Sequence, residues 1–444
     1  MKVLDTFALQ IREEYDITLS FDLVYSCERD TAKQDFIAKE ACPKMLFADI
    51  KDMQSGRAQD MLTRKMARIP FVAVLIAGFP CVDRSSQNSK ASSNKGCVAK
   101  AAGATGLGFE HIRQYTEANS VPMIILENVT KLGEIDIDTK QSDVDHIVKA
   151  MRKKGYAAFV DRVHAEDYGS PAFRARFHFT NSSVQGKPVL DRLRFGNVLT
   201  CMKLARDDGE GVFEIGDFIE QDADKALATQ SKLAFPPLAT KGSEAARIKG
   251  DPGFKQEHLQ AFKLSGLQWP PQFEDGAQAY ETLGQRPAEV VHFCNAVWPY
   301  SEEGVEFMDA NESLSRLTNF KLHESTTPED LKNPWRRMVP TITGHSVMVC
   351  RIARSDGTLD LREVAGFELM RLIGWDDCHL KNGVDRSEMN IALMRSLAGN
   401  AFSAFAVGPI LAASFACHGS GALQLQLFGS DSDATAMDSD SDAP

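Results

Sequence analysis

None of the nine cysteines stands in a CxxC pair, so the 444 residues show no spacing typical of a structural zinc site. No glycine occurs before Gly56, which excludes a glycine-rich turn cradling a nucleotide near the start of the chain. No uninterrupted apolar run reaches the roughly 18 to 20 residues of a membrane helix, and Met1 is followed by no basic segment with an apolar signal core. A soluble, intracellular protein with no membrane partner is therefore expected. Basic charge is also scarce: 50 Lys and Arg face 61 Asp and Glu, and the net −11 argues against a nucleic-acid partner until it is localised. Five of the acids fill residues 429–444, which contain no basic residue and read as a disordered acidic tail. Residues 151–180 show the opposite balance, six Lys and Arg against three acids.

The rest is ordinary globular composition, 43% hydrophobic and 25% charged, in a chain long enough for two or three domains. Over residues 1–180, short apolar runs alternate with amphipathic stretches, the pattern of a parallel α/β sheet covered on both faces. The runs are FDLVYSC (21–27), MLFADI (45–50), FVAVLIAG (71–78), VPMIILEN (121–128) and AAFVDRV (157–163). Ser142 opens a capping-box pattern ahead of Val144, Ile147, Val148 and Met151, and Gly155 falls where that helix should end. Residues 181–340 lose this rhythm, with acidic clusters near 207–220 and 302–312 and proline pairs at 236–237 and 270–271, and read as a separate, less regular domain. Regular patterning resumes in 341–428, where 361–375 and 395–413 both look helical.

FVAVLIAG is apolar throughout, as expected of a central strand buried on both faces, and it runs into Gly78, Phe79, Pro80 and Cys81. Ligands of open α/β sheets bind beyond the carboxyl ends of strands, where Cys81 emerges. The bland alternative is a structural cysteine. Against it stands the polar stretch 85–96, which begins at Ser85 and suits a loop that closes over a substrate. The next run ends in Glu127, so two neighbouring strands would bring a thiol nucleophile and a proton donor to one crevice. Further on, Arg174 and Arg176 are two apart and would share a strand face, able to hold a carbonyl oxygen or phosphates, or simply to be solvated. The glycines of GATGLG (103–108) follow the polar loop and read as its hinge into a helix near Glu110. His164, Glu166 and Asp167 read as loop residues ahead of a Tyr-Gly turn rather than metal ligands.

Together these motifs resemble the C5-cytosine-specific DNA methyltransferase family. GFPCVDRSS is similar to its Pro-Cys nucleophile motif, LENV to its Glu-Asn-Val motif, and YGSPAFRARFHF to its Arg-x-Arg motif, with Ala172 where the family usually has Gln. PTIT (340–343) with the stretch 361–375, AGNA (398–401), YSCERD and FADIKDM resemble further motifs in the family's order. The resemblance implies a Rossmann-like S-adenosylmethionine-dependent methyltransferase sheet, residues 1–180 completed by 341–428, with residues 181–340 inserted as the target-recognition domain. It also implies that Cys81 adds to C6 of a cytosine flipped out of DNA while Glu127 protonates N3, and that S-adenosyl-L-methionine methylates C5. Arg176 would hold O2 or orient the thiolate, and Arg174 would support it or touch phosphate. Glu28 would bind ribose hydroxyls, Asp49 the adenine amino group and Asn400 the methionine end.

The family's opening Phe-x-Gly-x-Gly turn admits two readings here, one with a degenerate counterpart and one in which the first strand and turn lie upstream of Met1. Either Phe7 is retained with Leu9 and Ile11 in place of the glycines, or 7–15 already form the first helix. Two other readings stay open: a methyltransferase-like binding module that keeps Cys81 without holding the cofactor, and an RNA (tRNA) cytosine-5 methyltransferase. The Cys-Phe-Thr signature of the tRNA branch is absent. A DNA substrate would place the protein in the nucleus of a eukaryotic cell.

Overall fold

A computed structural model describes residues 12–13, 21–86, 88, 90–184, 187–188, 190–203, 218–219, 252–269, 271, 285–300, 304–321, 327–353, 359–375 and 391–417. The chain divides into two compact units: Met1–Val163 with Ala175–Lys203 and Ala406–Pro444, and His164–Arg174 with Leu204–Phe405.

In the first unit each of the five apolar runs contains a strand. Strands β1 (Tyr25–Cys27) and β2 (Met45–Phe47) pair in parallel, with Cys27 opposite Phe47. Strands β3 (Arg57–Gln59) and β4 (Met66–Arg68) form an antiparallel pair. Strands β5 (Val74–Gly78), β6 (Met123–Val129), β7 (Ala157–His164) and β8 (Ala175–Val184) form one sheet in the order β5-β6-β8-β7, with β9 (Lys187–Pro188) beside β8. Pairing of β5 with β6 is parallel, but β8 runs antiparallel to β6, a departure from the all-parallel expectation. The ten residues between β7 and β8 are too few for the crossover that a parallel neighbour needs.

The expectation that β5 is central and buried on both faces is also corrected. Among the described residues it pairs only with β6, and only Leu75 of its five residues is buried.

Helix α1 (Thr31–Phe36) continues into a wider turn over Ile37–Ala41. Helices α2 (Gly103–Asn119), α3 (Asp143–Lys153) and α4 (Arg192–Cys201) complete the part of this unit that precedes the second. The capping box at α3 forms as its sequence dictates. Ser142 Oγ accepts the Asp145 N–H at 3.1 Å, Asp145 Oδ2 accepts the Ser142 N–H at 2.9 Å, and Gly155 takes a left-handed φ of 85° just past the end. One apolar cluster joins Ile124, Leu126 and Phe179 of the sheet to Phe109, Ile112 and Tyr115 of α2 and Ile147 and Met151 of α3. Truncating one of its phenylalanines to Ala would cost about 3–5 kcal/mol.

The glycines of 103–108 lie inside α2 rather than in a hinge ahead of it. A Cβ on Gly106 would sit 2.2 Å from the Cys97 carbonyl oxygen, and one on Gly108 would sit 2.6 Å from Pro80 Cδ. These glycines therefore let the helix press against the segment that carries the Pro-Cys turn.

The second unit is built on an antiparallel sheet, β10 (Gly304–Asp309), β11 (Met348–Ala353) and β12 (Leu359–Glu363). With it fold α5 (Pro252–Leu264), α6 (Gln285–Val297), α7 (Leu314–Thr318), α8 (Gly366–Arg371) and α9 (Ile391–Asn400). Phe262, Val291, Phe293, Met308, Leu314 and Trp335 belong to its core. The helical expectation for 361–375 fails at its start: Leu361–Glu363 lie in β12, where pairing with β11 overrides local helix propensity, and helix begins only at Gly366. Gly399 and Asn400 end α9 instead of opening one continuous helix. A Cβ on Gly399 would meet the Gly344 backbone N at 2.0 Å, so the glycine permits that approach.

Helix α10 (Ala404–Cys417) follows a three-residue break and holds Pro409. By length and composition Ala392–Cys417 is apolar enough to cross a membrane, with a mean hydropathy of 1.5, which qualifies the expectation drawn from the sequence. Half of its most apolar window is buried in the protein, and the stretch is two helices.

Two glycine substitutions separate close approach from mere flexibility. Gly108→Ala should lower stability by about 1–3 kcal/mol in urea melts, because Pro80 must be displaced. Gly196→Ala, in α4 with nothing within 4 Å of the added methyl, should raise stability by about 0.5–1 kcal/mol.

Candidate active site

The end of β5 fixes where Cys81 emerges. Gly78 is the register partner of Glu127 on β6, so the turn that follows starts beside the acid. Phe79 is buried against Phe109, with ring centroids 5.9 Å apart. Its carbonyl accepts a hydrogen bond of 2.9 Å from Nδ2 of the buried Asn128. On the other side of Cys81, the Arg84 N–H donates to the Cys81 carbonyl at 3.0 Å and closes a turn. Cys81 is half-buried and in no disulfide. Burial together with the Asp49 and Glu28 carboxylates pushes the Cys27 thiol up to about 12. Burial together with Asp143 does the same to Cys97, so both stay protonated at neutral pH.

Glu127 meets Arg176. Their facing atoms, Oε1 and Nε, lie 3.0 Å apart, and the side chains are only 13% and 15% exposed. Register places His178 opposite Glu127 and Arg176 opposite Val129, so Glu127 and Arg176 are diagonal neighbours on one sheet face. Oε1 accepts no aligned hydrogen bond, so the contact is one of charges. Arg176 Nη1 donates to the Ala175 carbonyl at 2.8 Å, which holds the guanidinium in place. The structure thus gathers Cys81, Glu127 and Arg176 at neighbouring strand ends of the first unit.

Arg174 is different, and the expected shared strand face is corrected. It lies one residue ahead of β8 and belongs to the second unit, where Phe173 N–H bonds the Val339 carbonyl. Its buried guanidinium donates to the carbonyls of Ile342 (3.3 Å), Gly399 (3.3 Å) and Ala401 (2.6 Å). Its N–H is accepted by Glu166, whose other oxygen meets His164 Nδ1 at 3.1 Å. These contacts make Arg174 a fastener of the segments around 342 and 400.

Ser85 opens the polar loop, and its carbonyl accepts the Asn88 N–H at 3.0 Å. The loop is folded down rather than extended. Arg84 is wholly buried, Asp83 Oδ2 accepts the Thr105 N–H at 2.7 Å, and Asn94 Nδ2 bonds the Asp83 carbonyl at 3.2 Å.

The expected cofactor residues are placed unequally. Glu28 and Asp49 do emerge at the carboxyl ends of the adjacent strands β1 and β2. Glu28 Oε1 accepts the Asp30 N–H at 2.9 Å. Asp49 is occupied by its own surroundings: Oδ1 accepts the Lys51 N–H, and Oδ2 lies 3.4 Å from Arg29 and 3.6 Å from Lys51. Asn400, in the second unit, donates to the Ser396 carbonyl of its own helix at 2.7 Å. Phe7 lies outside the described residues. Glu28 and Asp49 thus both stand at strand ends and both accept backbone N–H groups of their own turns, while Asn400 is engaged within its own helix.

Sequence reasoning missed Asn128 as the clamp on the Pro-Cys turn, and Arg84 and Asp143 as a buried pair. An asparagine after the acid was visible, but nothing in a Ser/Asn/Lys-rich loop marks one arginine as buried.

The fold and site define a mixed α/β protein with a cysteine and an acid–arginine pair at its strand ends. A family profile described as C-5 cytosine-specific DNA methylase matches residues 7–187. Over 152 residues, 32% of the chain, the protein is 31% identical to the DNA (cytosine-5-)-methyltransferase DMT5 of Cryptococcus neoformans var. grubii, and the match spans 6% of that relative's length. A Dnmt2 methyltransferase of S. pombe is similar at 13% identity and a TM-score of 0.42, covering 92% of this chain and 93% of its own. A DNA modification methyltransferase from an E. coli prophage is similar at 14% and 0.43, covering 90% and 93%.

Asn128→Ala should leave the buried Phe79 carbonyl unpaired, and a loss of about 1–3 kcal/mol in urea melts is the expected outcome.

Proposed function

We propose that this chain is the catalytic part of a DNA cytosine-5 methyltransferase that works through a covalent adduct at Cys81. The observation that carries the reading is the Glu127–Arg176 pair, placed by register beside the strand that leads into Cys81. Cys81 Sγ adds to C6 of a flipped-out cytosine while the Glu127 carboxyl donates a proton to N3, leaving an enamine with a nucleophilic C5. Arg176 orients Glu127 and offers its guanidinium edge to the base's O2. S-adenosyl-L-methionine, when bound, supplies an electrophilic methyl group, and Glu28 is the residue best placed to receive its ribose hydroxyls. Once C5 carries the methyl group, a water molecule takes the C5 proton, Cys81 leaves from C6 as thiolate and N3 returns its proton to Glu127. The polar loop from Ser85 would cover the extruded base, and the second unit would read the flanking sequence. If the source cell is eukaryotic, a DNA substrate would place the protein in the nucleus.

Incubation with 5-fluorocytosine DNA and S-adenosylmethionine should give a denaturation-stable adduct with the wild-type chain and none with Cys81→Ser. An adduct persisting in Cys81→Ser would show that another group attacks. An adduct on 5-fluorocytidine RNA alone would move the substrate to RNA. Glu127→Gln should slow adduct formation about 10²–10⁴-fold.

The absence of glycine before Gly56 and the occupied Asp49 favour a second reading, a binding module that keeps the fold without the cofactor. Calorimetric titration with S-adenosylhomocysteine decides. Saturable binding removes this reading, and no binding alongside a cooperative thermal transition supports it.

A further inference from the structure

The Arg84 side chain is entirely out of solvent although it sits in a polar loop, three residues after Cys81. A buried guanidinium persists only where its donors and its charge are answered. Here the answers come from three directions. Nη1 donates to the Ala91 carbonyl on the far side of the same loop. Nη2 donates to the Lys131 carbonyl at 2.5 Å and to Glu134 Oε2 at 3.0 Å, both in the turn that continues β6 past Glu127. Nε lies 3.8 Å from Oδ2 of Asp143, which is 1% exposed, opens α3 and accepts the Val98 N–H at 2.9 Å through its other oxygen. The Arg84 backbone N–H, in turn, closes the turn on the Cys81 carbonyl.

We propose that Arg84 is a positioning residue for the reaction at Cys81: it ties the nucleophile's turn to the chain leaving Glu127 and so sets their separation. The inference rests on the proposed roles of Cys81 and Glu127. Asn128 holds one side of the turn through Phe79, and Arg84 holds the other. Both anchors reach the end of β6, so a shift of the acid strand carries the nucleophile with it. A lysine keeps the charge but carries its three donors on one nitrogen, too compact to reach Ala91, Lys131 and Glu134 together, which separates charge from the spread of bonds.

The experiment uses the full chain with Arg84→Met, Arg84→Lys and Glu134→Gln, the last removing only the charge of a partner 36% exposed. Three quantities are measured: the iodoacetamide alkylation rate of Cys81 relative to exposed Cys201, hydrogen exchange at 130–134, and kcat and KM on cytosine DNA. For Arg84→Met the alkylation ratio should change, exchange at 130–134 should quicken, and kcat should fall roughly tenfold or more while KM moves under about threefold. Arg84→Lys should recover part of the loss. A folded Arg84→Met protein with an unchanged alkylation ratio and an unchanged kcat overturns the proposal. If Arg84→Met does not fold, Arg84→Lys and Glu134→Gln carry the same test, with smaller shifts in the same direction expected and none overturning it. If the wild-type chain turns over no cytosine substrate, the reaction reading falls, and the alkylation and exchange measurements alone confirm or overturn the positioning role.

Discussion

The candidate site depends on one alignment, the parallel register of β5 and β6 that sets Gly78 opposite Glu127. Alternation along β6 then divides the work between its two faces. Ile124, Leu126 and Asn128 point to the side where the two aliphatic residues join the core with α2 and α3, and Asn128 secures the Phe79 carbonyl there. Glu127 points to the other side, toward Arg176. A slip of one residue would turn the Glu127 carboxylate toward the face where Ile124 and Leu126 pack against aromatic rings, so the packing of the core enforces the position of the acid. Stability and chemistry are thus set by the same strand, on opposite faces.

Three arginines of the Pro-Cys and Arg-x-Arg motifs serve three physical purposes. Arg176 faces a carboxylate, Arg174 spreads its donors over carbonyls from two later segments, and Arg84 is buried in a net of carbonyls and acids. The guanidinium suits all three because its five donors fan out in a plane and its charge is not lost on burial. The local basic excess of 151–180 is accordingly reduced as a field toward a ligand, since Arg174 is spent on the protein itself.

Strand existence was legible because a buried strand must be apolar, and each of the five runs in the first 180 residues yields one. The α3 cap was legible because Ser142, Asp145 and Gly155 act locally. Direction and neighbourhood were not: the antiparallel course of β8 follows from a short connection, and the edge position of β5 among described strands has no signature in its own composition. The stretch 361–375 misled because Leu361–Glu363 look helical alone and become strand only through β11, which lies earlier in the chain. In the candidate site, the sequence placed Cys81, Glu127 and Arg176 at strand ends, where the structure also has them. Arg174 carried the same letters as Arg176 but differs in what its backbone pairs with, and Asp49 was named for a ligand although it caps its own turn.

The order in which the chain visits its two units has a consequence for handling the molecule. It leaves the first unit after Val163, returns at Ala175, leaves again after Lys203 and comes back at Ala406. Any uninterrupted stretch that contains the whole first unit must therefore contain the second as well. A fragment that holds the first unit alone cannot be cut from one end. It would require a linker in place of residues 204–405, and the excursion from His164 to Arg174 would travel with it.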